Sequence, residues 1–492
     1  MKLDKLLNNI DYNLIQGSDT VDINNIVYDS KNATPNTLFV CLKGIKTNTD
    51  GHNFALLAIN NGATAILTER KVPNIPPHIT IVRVRNTRKS LPTIANNFFN
   101  YPSKELNLVG ITGTNGKTSV SLYIAKVLEV LERNVGVIGT TGVFINNQAV
   151  EFNKTTPTTP ESVELQYLLR YMKNSGVTEV VMEASSMAME LHRVDGCDFN
   201  VAVFTNLTQD HLDDHKTMEN YKNAKLKLFN MCKYAIINID DSVSNEIINI
   251  NKCPILTYGI KNNADIFAKD ITYSFEGVQF TVVFREIERQ VKLNIPGDFS
   301  IYNALATIGA CYVLGLPIDL IINGLEQVST VPGRFEVITS TKGYQAIVDY
   351  AHSPDALENV LKTINGFVKG RIITIFGCGG DRDRTKRALM GEIAGKYSDM
   401  TFITSDNPRS ENPNEIMNEI EFGIKKTNCP YIKIEDRKSA ILNALNEASP
   451  NDIILIAGKG HEEYQEFKDY VIHFSDKEII NEFIKLNNFN PG

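Results

Sequence analysis

Cysteine is sparse in this chain, seven in 492 residues, and no two fall at a paired or metal-type spacing. That scatter excludes a disulfide framework and fits a reducing cytoplasm. Long apolar runs are missing too: nothing approaches the roughly 18 residues that cross a bilayer. The opening Met1-Lys2-Leu3-Asp4-Lys5-Leu6-Leu7-Asn8-Asn9 lacks the apolar core of a secretory signal. There is no low-complexity tract and no short-period repeat. Positive charge is in deficit, with 50 Lys and Arg against 57 Asp and Glu and a net charge of −7. Nucleic acid is therefore excluded as the main partner. What is present, 42% hydrophobic and 22% charged residues, describes a cytoplasmic globular protein long enough for about three domains.

The most informative stretch is Val109-Gly110-Ile111-Thr112-Gly113-Thr114-Asn115-Gly116-Lys117-Thr118-Ser119. Leu106–Ile111 predicts a buried strand. A helix follows from about Thr118, with apolar residues at Val120, Ile124, Val127, Leu128 and Leu131. Between them the glycines let backbone N–H groups converge on an anion at a helix N-terminus. Lys117 supplies a mobile charge for phosphates, and Thr118 or Ser119 a hydroxyl for Mg²⁺. The usual phosphate-loop pattern has a glycine at position 111, where Ile111 stands. The stretch predicts nucleoside triphosphate binding and leaves the chemistry open.

Residues 1–104 read as a small α/β unit. Its strands are expected at Ile26–Tyr28, Thr37–Leu42, Ala65–Leu67 and Ile79–Val84, with a helix over Ser90–Phe99 and a linker over Asn100–Ser103. Residues 105–330 alternate β-rich and helical patterns, which predicts a mostly parallel sheet. Residues 331–492 restart that pattern, with strands at Ala346–Asp349, Arg371–Phe376, Met400–Thr404 and Ile453–Ile456. Polar residues follow the apolar runs directly: Glu183-Ala-Ser-Ser186, Thr205 to His211, Gly377 to Arg382, Asp406 to Arg409, and Gly458 to Glu462. Ligands of open α/β sheets bind at such strand ends, so two sheets are expected to turn their functional edges to one cleft.

Individual residues leave alternatives open. Glu183 either holds Mg²⁺ between nucleotide oxygens or caps the turn after its strand. His211, in a polar strand-end cluster, suits a metal or a phosphate. Lys225, in a helix, reads from its neighbours as an ordinary solvated lysine. Arg334, Arg382 and Arg409 sit at turns, either as surface ion pairs or as forks for an anionic substrate. His461 and Glu462 either bind a substrate amine or simply form a turn.

Taken together, Gly110–Ser119, Asn206-Leu207 with Asp210-His-Leu-Asp213, Pro332-Gly-Arg-Phe-Glu336 and Asp349-Tyr-Ala-His-Ser-Pro354 resemble the Mur ligases. These enzymes form amide bonds at the expense of ATP in peptidoglycan precursor synthesis. The resemblance runs over nearly the whole chain, with motifs in the family order. Asp29-Ser30, Leu38-Phe-Val40 and Asp50-Gly-His52 resemble its uridine-binding domain. Thr158-Thr159-Pro160, Glu183–Ser186 and His192-Arg193 resemble its central substrate site. The implied fold is α/β in three domains: a uridine-binding domain, a central P-loop domain and a Rossmann-like C-terminal domain.

The resemblance also implies roles. Gly113 to Ser119, Asn303 and Arg334 bind ATP. Ser30, Thr158, Thr159, Ser185 and Arg193 bind a UDP-N-acetylmuramoyl dipeptide. Thr118, Glu183, His211 and a carbamylated Lys225 hold Mg²⁺; Lys117, Glu183, His211 and Lys225 form the catalytic set. Pro157, Met187, Leu191 and Ser300 depart from common family residues. Asp406-Asn407-Pro408-Arg409 resembles the form in ligases that add meso-2,6-diaminopimelate. There Arg409 pairs the distal carboxylate that lysine lacks, and Arg382, Gly458 and Glu462 complete the amino-acid site. The implied activity is transfer of the D-glutamate γ-carboxyl, through an acyl phosphate, to that amine. The partners are small molecules, with no nucleic acid, no membrane insertion and a monomeric chain. Alternatives are L-lysine or LL-diaminopimelate as acceptor, a folylpolyglutamate-synthetase-type ligase, or a non-catalytic nucleotide-binding protein.

Overall fold

The computed structural model describes residues 1–44, 49–329 and 331–489. The boundary expected at Thr330 lies outside the described residues. The chain divides into two compact units. One comprises Met1–Thr112, Glu132–Ala202 and Ala224–Tyr234; the other comprises Gly113–Leu131, Val203–Asn223 and Ala235–Gly492.

In the first unit a five-stranded sheet has the order Asn13–Gln16, Thr80–Arg83, Ala63–Thr68, Thr37–Val40, Asn25–Val27. Only the Asn13–Gln16 pairing is antiparallel. Alternate side chains feed two cores. Leu38, Val40, Ala65 and Leu67 pack with Leu91 and Ile94 of the helix Thr87–Phe99. Phe39, Cys41 and Ile66 pack on Ala55 and Ala58 from the opposite face. A strand buried on both faces reads as an unbroken apolar run, which is why Thr37–Val40 was legible. The helix begins three residues before Ser90 because Asn86 caps it, its side chain accepting from Lys89 N at 2.9 Å. It ends at Asn100 and Tyr101, both left-handed, before the short 3₁₀ turn Pro102–Glu105.

Also in this unit, Asn107–Thr112, Glu179–Glu183 and Val135–Gly139 run parallel with Glu179–Glu183 central. Gly142–Ile145 and Gln148–Ala149 continue antiparallel.

The second unit holds the helix Lys117–Val130, which buries Val120, Ile124, Val127 and Leu128 as the periodicity predicts. Ala235–Asn238 pairs in parallel with Ile255–Gly259, and that strand with Ile266–Ser274. The antiparallel strands Gly277–Phe284 and Ile287–Leu293 then follow. The expected mostly parallel character thus stops at the sheet margins. Two residues separate Ser274 from Gly277, and two separate Phe284 from Ile287. Connections that short can only reverse a chain; a parallel crossover needs about a dozen residues.

The C-terminal sheet of this unit has the order Glu336–Thr339, Gln345–Asp349, Ile453–Ala457, Ile372–Phe376, Met400–Ile403, Tyr431–Lys433. All but the first pairing are parallel. Its central strands Ile372–Phe376 and Ile453–Ala457 are buried throughout. Under one face, Arg437 of the helix Arg437–Glu447 meets Asp476, first residue of the helix Asp476–Phe489, through two bonds of 2.8 Å. Arg437 Nη2 also donates to Ala457 O at 3.0 Å. Both side chains are fully buried. Removing one partner leaves an uncompensated interior charge. Asp476→Ala should therefore cost about 3–5 kcal/mol in urea unfolding, whereas Arg437→Met with Asp476→Leu should recover most of it. Equal loss in the single and double variants would contradict this account.

Candidate active site

The phosphate loop is moored by the strand end that follows Phe204. Asn206 accepts through its main-chain oxygen from Thr114 N at 2.8 Å and through its side chain from Asn115 N at 2.9 Å. Thr205 Oγ1 donates to Asn115 O at 2.6 Å. The glycines are required by this proximity. A Cβ at Gly113, where φ is +147°, would lie 1.8 Å from Thr205 Oγ1, and one at Gly116, φ +87°, 2.8 Å from Asn303 Oδ1. Asn303 is thereby placed directly against the loop. Gly116 caps the helix without a side chain, so the first helical N–H groups face outward as anion donors. Lys117 Nζ lies over its own loop, donating to Gly113 O and Thr114 O at 2.9 and 2.8 Å. Thr118 is buried and Ser119 half-buried. Ser300 is absorbed in the first turn of its helix, Oγ donating to Pro296 O.

The same unit joins His211 to residues of the C-terminal sheet. Asp210, 5% exposed, lies 3.4 Å from Lys386 Nζ, 3.5 Å from His211 Nε2 and 3.6 Å from His352 Nε2. Burial alone would raise its pKa, but Lys386, His211 and His352 outweigh it and hold the carboxyl well below the usual range. His211 is left-handed, φ +54°. Its ring nitrogen and the carboxylates of Asp213 and Asp214 lie within 4.8 Å of one another, a grouping that suits a cation. Asn115 Nδ2 donates to Asp355 Oδ2 at 2.8 Å, tying the loop to the helix Pro354–Asn365.

In the other unit Glu183 ends its strand opposite Ile111. Its carboxylate accepts from Thr140 N at 2.8 Å and Thr140 Oγ1 at 3.0 Å. Thr140 Oγ1 also meets Thr158 Oγ1 at 3.0 Å. Thr159 Oγ1 bonds Glu183 O at 2.8 Å and Ser185 Oγ at 3.2 Å, and Arg193 Nη1 donates to Thr159 O at 3.3 Å. Thr159 thus bonds Glu183 directly, Thr158 reaches it through Thr140, and Ser185 and Arg193 attach to Thr159. Ser30 is buried, its carbonyl accepting from Asn61, two residues beyond Tyr28, which donates to Glu164 at 2.7 Å. Pro157 is exposed, Met187 half-buried and Leu191 buried. Lys225 corrects the reading of its neighbours: it is no solvated lysine but 2% exposed.

At the C-terminal sheet edge, Arg409 and Arg382 flank Gly379. A Cβ there would lie 3.0 Å from Arg409 Nη1 and 3.6 Å from Arg382 Cγ. Arg382 is exposed; Arg409 is partly buried and left-handed, φ +50°. A Cβ at Gly458 would lie 2.6 Å from Asp406 Oδ2, so that strand end and the Asp406–Arg409 turn touch. Glu462 accepts from Asn407 Nδ2 at 3.0 Å, Lys459 Nζ at 3.1 Å and Tyr350 Oη at 3.4 Å. It thereby ties its loop to the Asp406–Arg409 turn and to Tyr350. The Arg334 guanidinium lies 4.6 Å from the Tyr350 ring centroid, with its buried Nε unsatisfied.

Several residues escaped sequence reasoning. Lys459 is fully buried, although its Gly-Lys-Gly setting at a strand end was the available signal. Arg387, also fully buried, clamps Glu411 and Glu419 and donates to Gly379 O at 3.2 Å. Nothing local marks it or Lys386.

Comparison with known proteins adds three family matches: Mur ligase family, catalytic domain, over residues 22–99; Mur ligase middle domain over 111–311; and Mur ligase, glutamate ligase domain, over 333–460. A UDP-N-acetylmuramoyl-L-alanyl-D-glutamate--2,6-diaminopimelate ligase of Caldanaerobacter subterraneus subsp. tengcongensis is 48% identical over 485 residues, 98% of this chain and 99% of its own. A solved structure bearing the same enzyme name superposes with a TM-score of 0.70 at 31% identity, covering 99% of each chain. The MurF ligase of Thermotoga maritima in complex with ADP shares the fold, with a TM-score of 0.65 at 21% identity over 96% of this chain and 99% of its own.

Gly113→Ala should weaken nucleotide binding by at least about tenfold in titration calorimetry, a cost of about 1.4 kcal/mol, because the loop must leave Thr205. Wild-type affinity in that variant would show that the approach of Thr205 does not shape the loop.

Proposed function

The chain belongs to the Mur ligase family, and on that premise we propose that it joins meso-2,6-diaminopimelate to the D-glutamate γ-carboxyl of UDP-N-acetylmuramoyl-L-Ala-D-Glu, converting ATP to ADP and phosphate. The observation that carries the choice of acceptor is the pair Arg409 and Arg382 flanking Gly379 beside Glu462. Diaminopimelate ends in both a carboxylate and an ammonium. The arginines suit the first and Glu462 the second. Lysine would leave the donors of Arg409 that Glu466 and Gly380 do not take without a carboxylate, a loss of about 1–3 kcal/mol. The full-length relative carrying the diaminopimelate ligase name supports the same reading.

In this reading residues 1–104 hold the uridine end, 105–330 ATP and the dipeptide, and 331–492 the amino acid. Gly113 to Ser119, Asn303 and Arg334 bind ATP, with Lys117 turning from its loop carbonyls to the γ-phosphoryl group. Ser30, Thr158, Thr159, Ser185 and Arg193 hold the UDP-sugar dipeptide. The glutamate carboxylate attacks the γ-phosphorus, giving an acyl phosphate and ADP. The amine, oriented by Arg409, Arg382, Asp406, Asn407, Pro408, Gly458 and Glu462, then attacks the acyl carbon and expels phosphate. Catalysis is positioning plus charge neutralisation.

Mg²⁺ fits the donors present. His211 belongs to a cation-type grouping, Glu183 is a buried carboxylate, and Lys225 is buried rather than solvated. Thr118, Glu183, His211 and a carbamylated Lys225 would hold it, and when bound it neutralises phosphate oxygens. No helix among the described residues is long and apolar enough to cross a membrane; the reading is of a cytoplasmic monomer acting on small molecules.

Rates with meso-diaminopimelate, LL-diaminopimelate and L-lysine, in the presence of ATP and the UDP-dipeptide, test the assignment: the meso form should dominate, and preference for lysine would overturn it. Arg409→Ala should raise the diaminopimelate KM by about thirtyfold, about 2 kcal/mol, and leave ATP binding intact. Lys225→Ala should abolish turnover; full activity would refute a metal-bridging carbamate.

A further inference from the structure

Arg409 is held by a second carboxylate that the reading above does not use. Glu466 Oε2 accepts from Arg409 Nε at 2.9 Å, while Gly380 O accepts from Nη1 at 2.9 Å. The backbones are laced as well: Arg409 N donates to Glu466 O at 3.1 Å, and Glu466 N to Asn407 Oδ1 at 3.0 Å. Glu466 ends the strand Tyr464–Glu466, which pairs antiparallel with Val471–His473. The preceding Gln465 is buried and donates to Asp406 O at 2.7 Å. This small hairpin is therefore fastened to the Asp406–Arg409 turn at three successive points.

A guanidinium offers a carboxylate two forked edges, Nε with Nη2, or Nη1 with Nη2. Glu466 occupies Nε and Gly380 O takes one of the two Nη1 protons, so the donors left for a ligand are Nη2 and the second Nη1 proton. We propose that Glu466 is a positioning and specificity-determining residue, which fixes the guanidinium plane of Arg409 and presents its Nη1–Nη2 edge to the distal carboxylate of the acceptor. The proposal rests on diaminopimelate being that acceptor. An arginine side chain left free loses rotamer entropy when it binds; here that ordering precedes the ligand. Glu466 retains 40% side-chain exposure, so solvent screens its repulsion of an incoming carboxylate. Orientation outweighs charge.

The test uses the full-length wild type, Glu466→Ala and Glu466→Gln, with ATP, the UDP-dipeptide and either meso-diaminopimelate or L-lysine. Glu466→Ala should raise the diaminopimelate KM about tenfold with kcat and the ATP KM within about twofold. Glu466→Gln keeps an acceptor for Nε–H and should stay within about threefold of wild type. The lysine-dependent rate should be the same in all three proteins, since lysine has no distal carboxylate to present. An unchanged or lowered diaminopimelate KM in Glu466→Ala, or a Gln variant as impaired as the Ala variant, would overturn the inference alone. A wild type that does not use diaminopimelate would instead overturn the acceptor assignment, and the inference with it.

Discussion

Asp210 is a buried carboxylate that three separate stretches of chain must neutralise. Taking a carboxylate out of water costs several kcal/mol, and a close cation with further hydrogen-bonding groups around it recovers that cost. Lys386 and His352 come from the C-terminal sheet edge and His211 from the adjacent residue. The segment after Phe204 is thus fixed at one end to the phosphate loop, through Asn206 and Thr205, and at the other to the C-terminal elements. Gln209 adds a bond to Thr385 at 2.9 Å, and Asn115 reaches Asp355 directly. The phosphate loop and the C-terminal sheet edge therefore share supports within one compact unit.

This arrangement explains which parts were legible in the sequence. Thr37–Val40, Ile372–Phe376 and Ile453–Ala457 are buried throughout, so each strand announces itself as an apolar run. Asn13–Gln16 is an edge strand with three of four residues exposed, and it carries no such pattern. Lys225, Lys386, Lys459 and Arg387 were opaque for another reason. Lys386 and Arg387 are buried against Asp210, Glu411 and Glu419, partners distant in sequence, and a local window shows only charged residues on a helix. The family resemblance marked Lys225 where its neighbours pointed the wrong way. For Glu466 neither neighbours nor motif gave a sign, because its role exists only through its contact with Arg409.

The amino-acid site also shows why charge count alone would not select its acceptor. Lys459 is fully buried and already shared between Asn407 and Glu462; Arg409 is already held by Glu466 and Gly380. These charges are balanced before any substrate arrives. A ligand bearing only an extra cation gains a share of Glu462 but must cover the open edge of Arg409 without pairing it. Excluding water from an arginine without supplying an acceptor costs more than a missing neutral contact. A ligand ending in a carboxylate and an ammonium together meets both and leaves the local balance unchanged. Selectivity then comes less from attraction than from the penalty on the wrong partner, and that penalty is as sharp as the guanidinium is rigid.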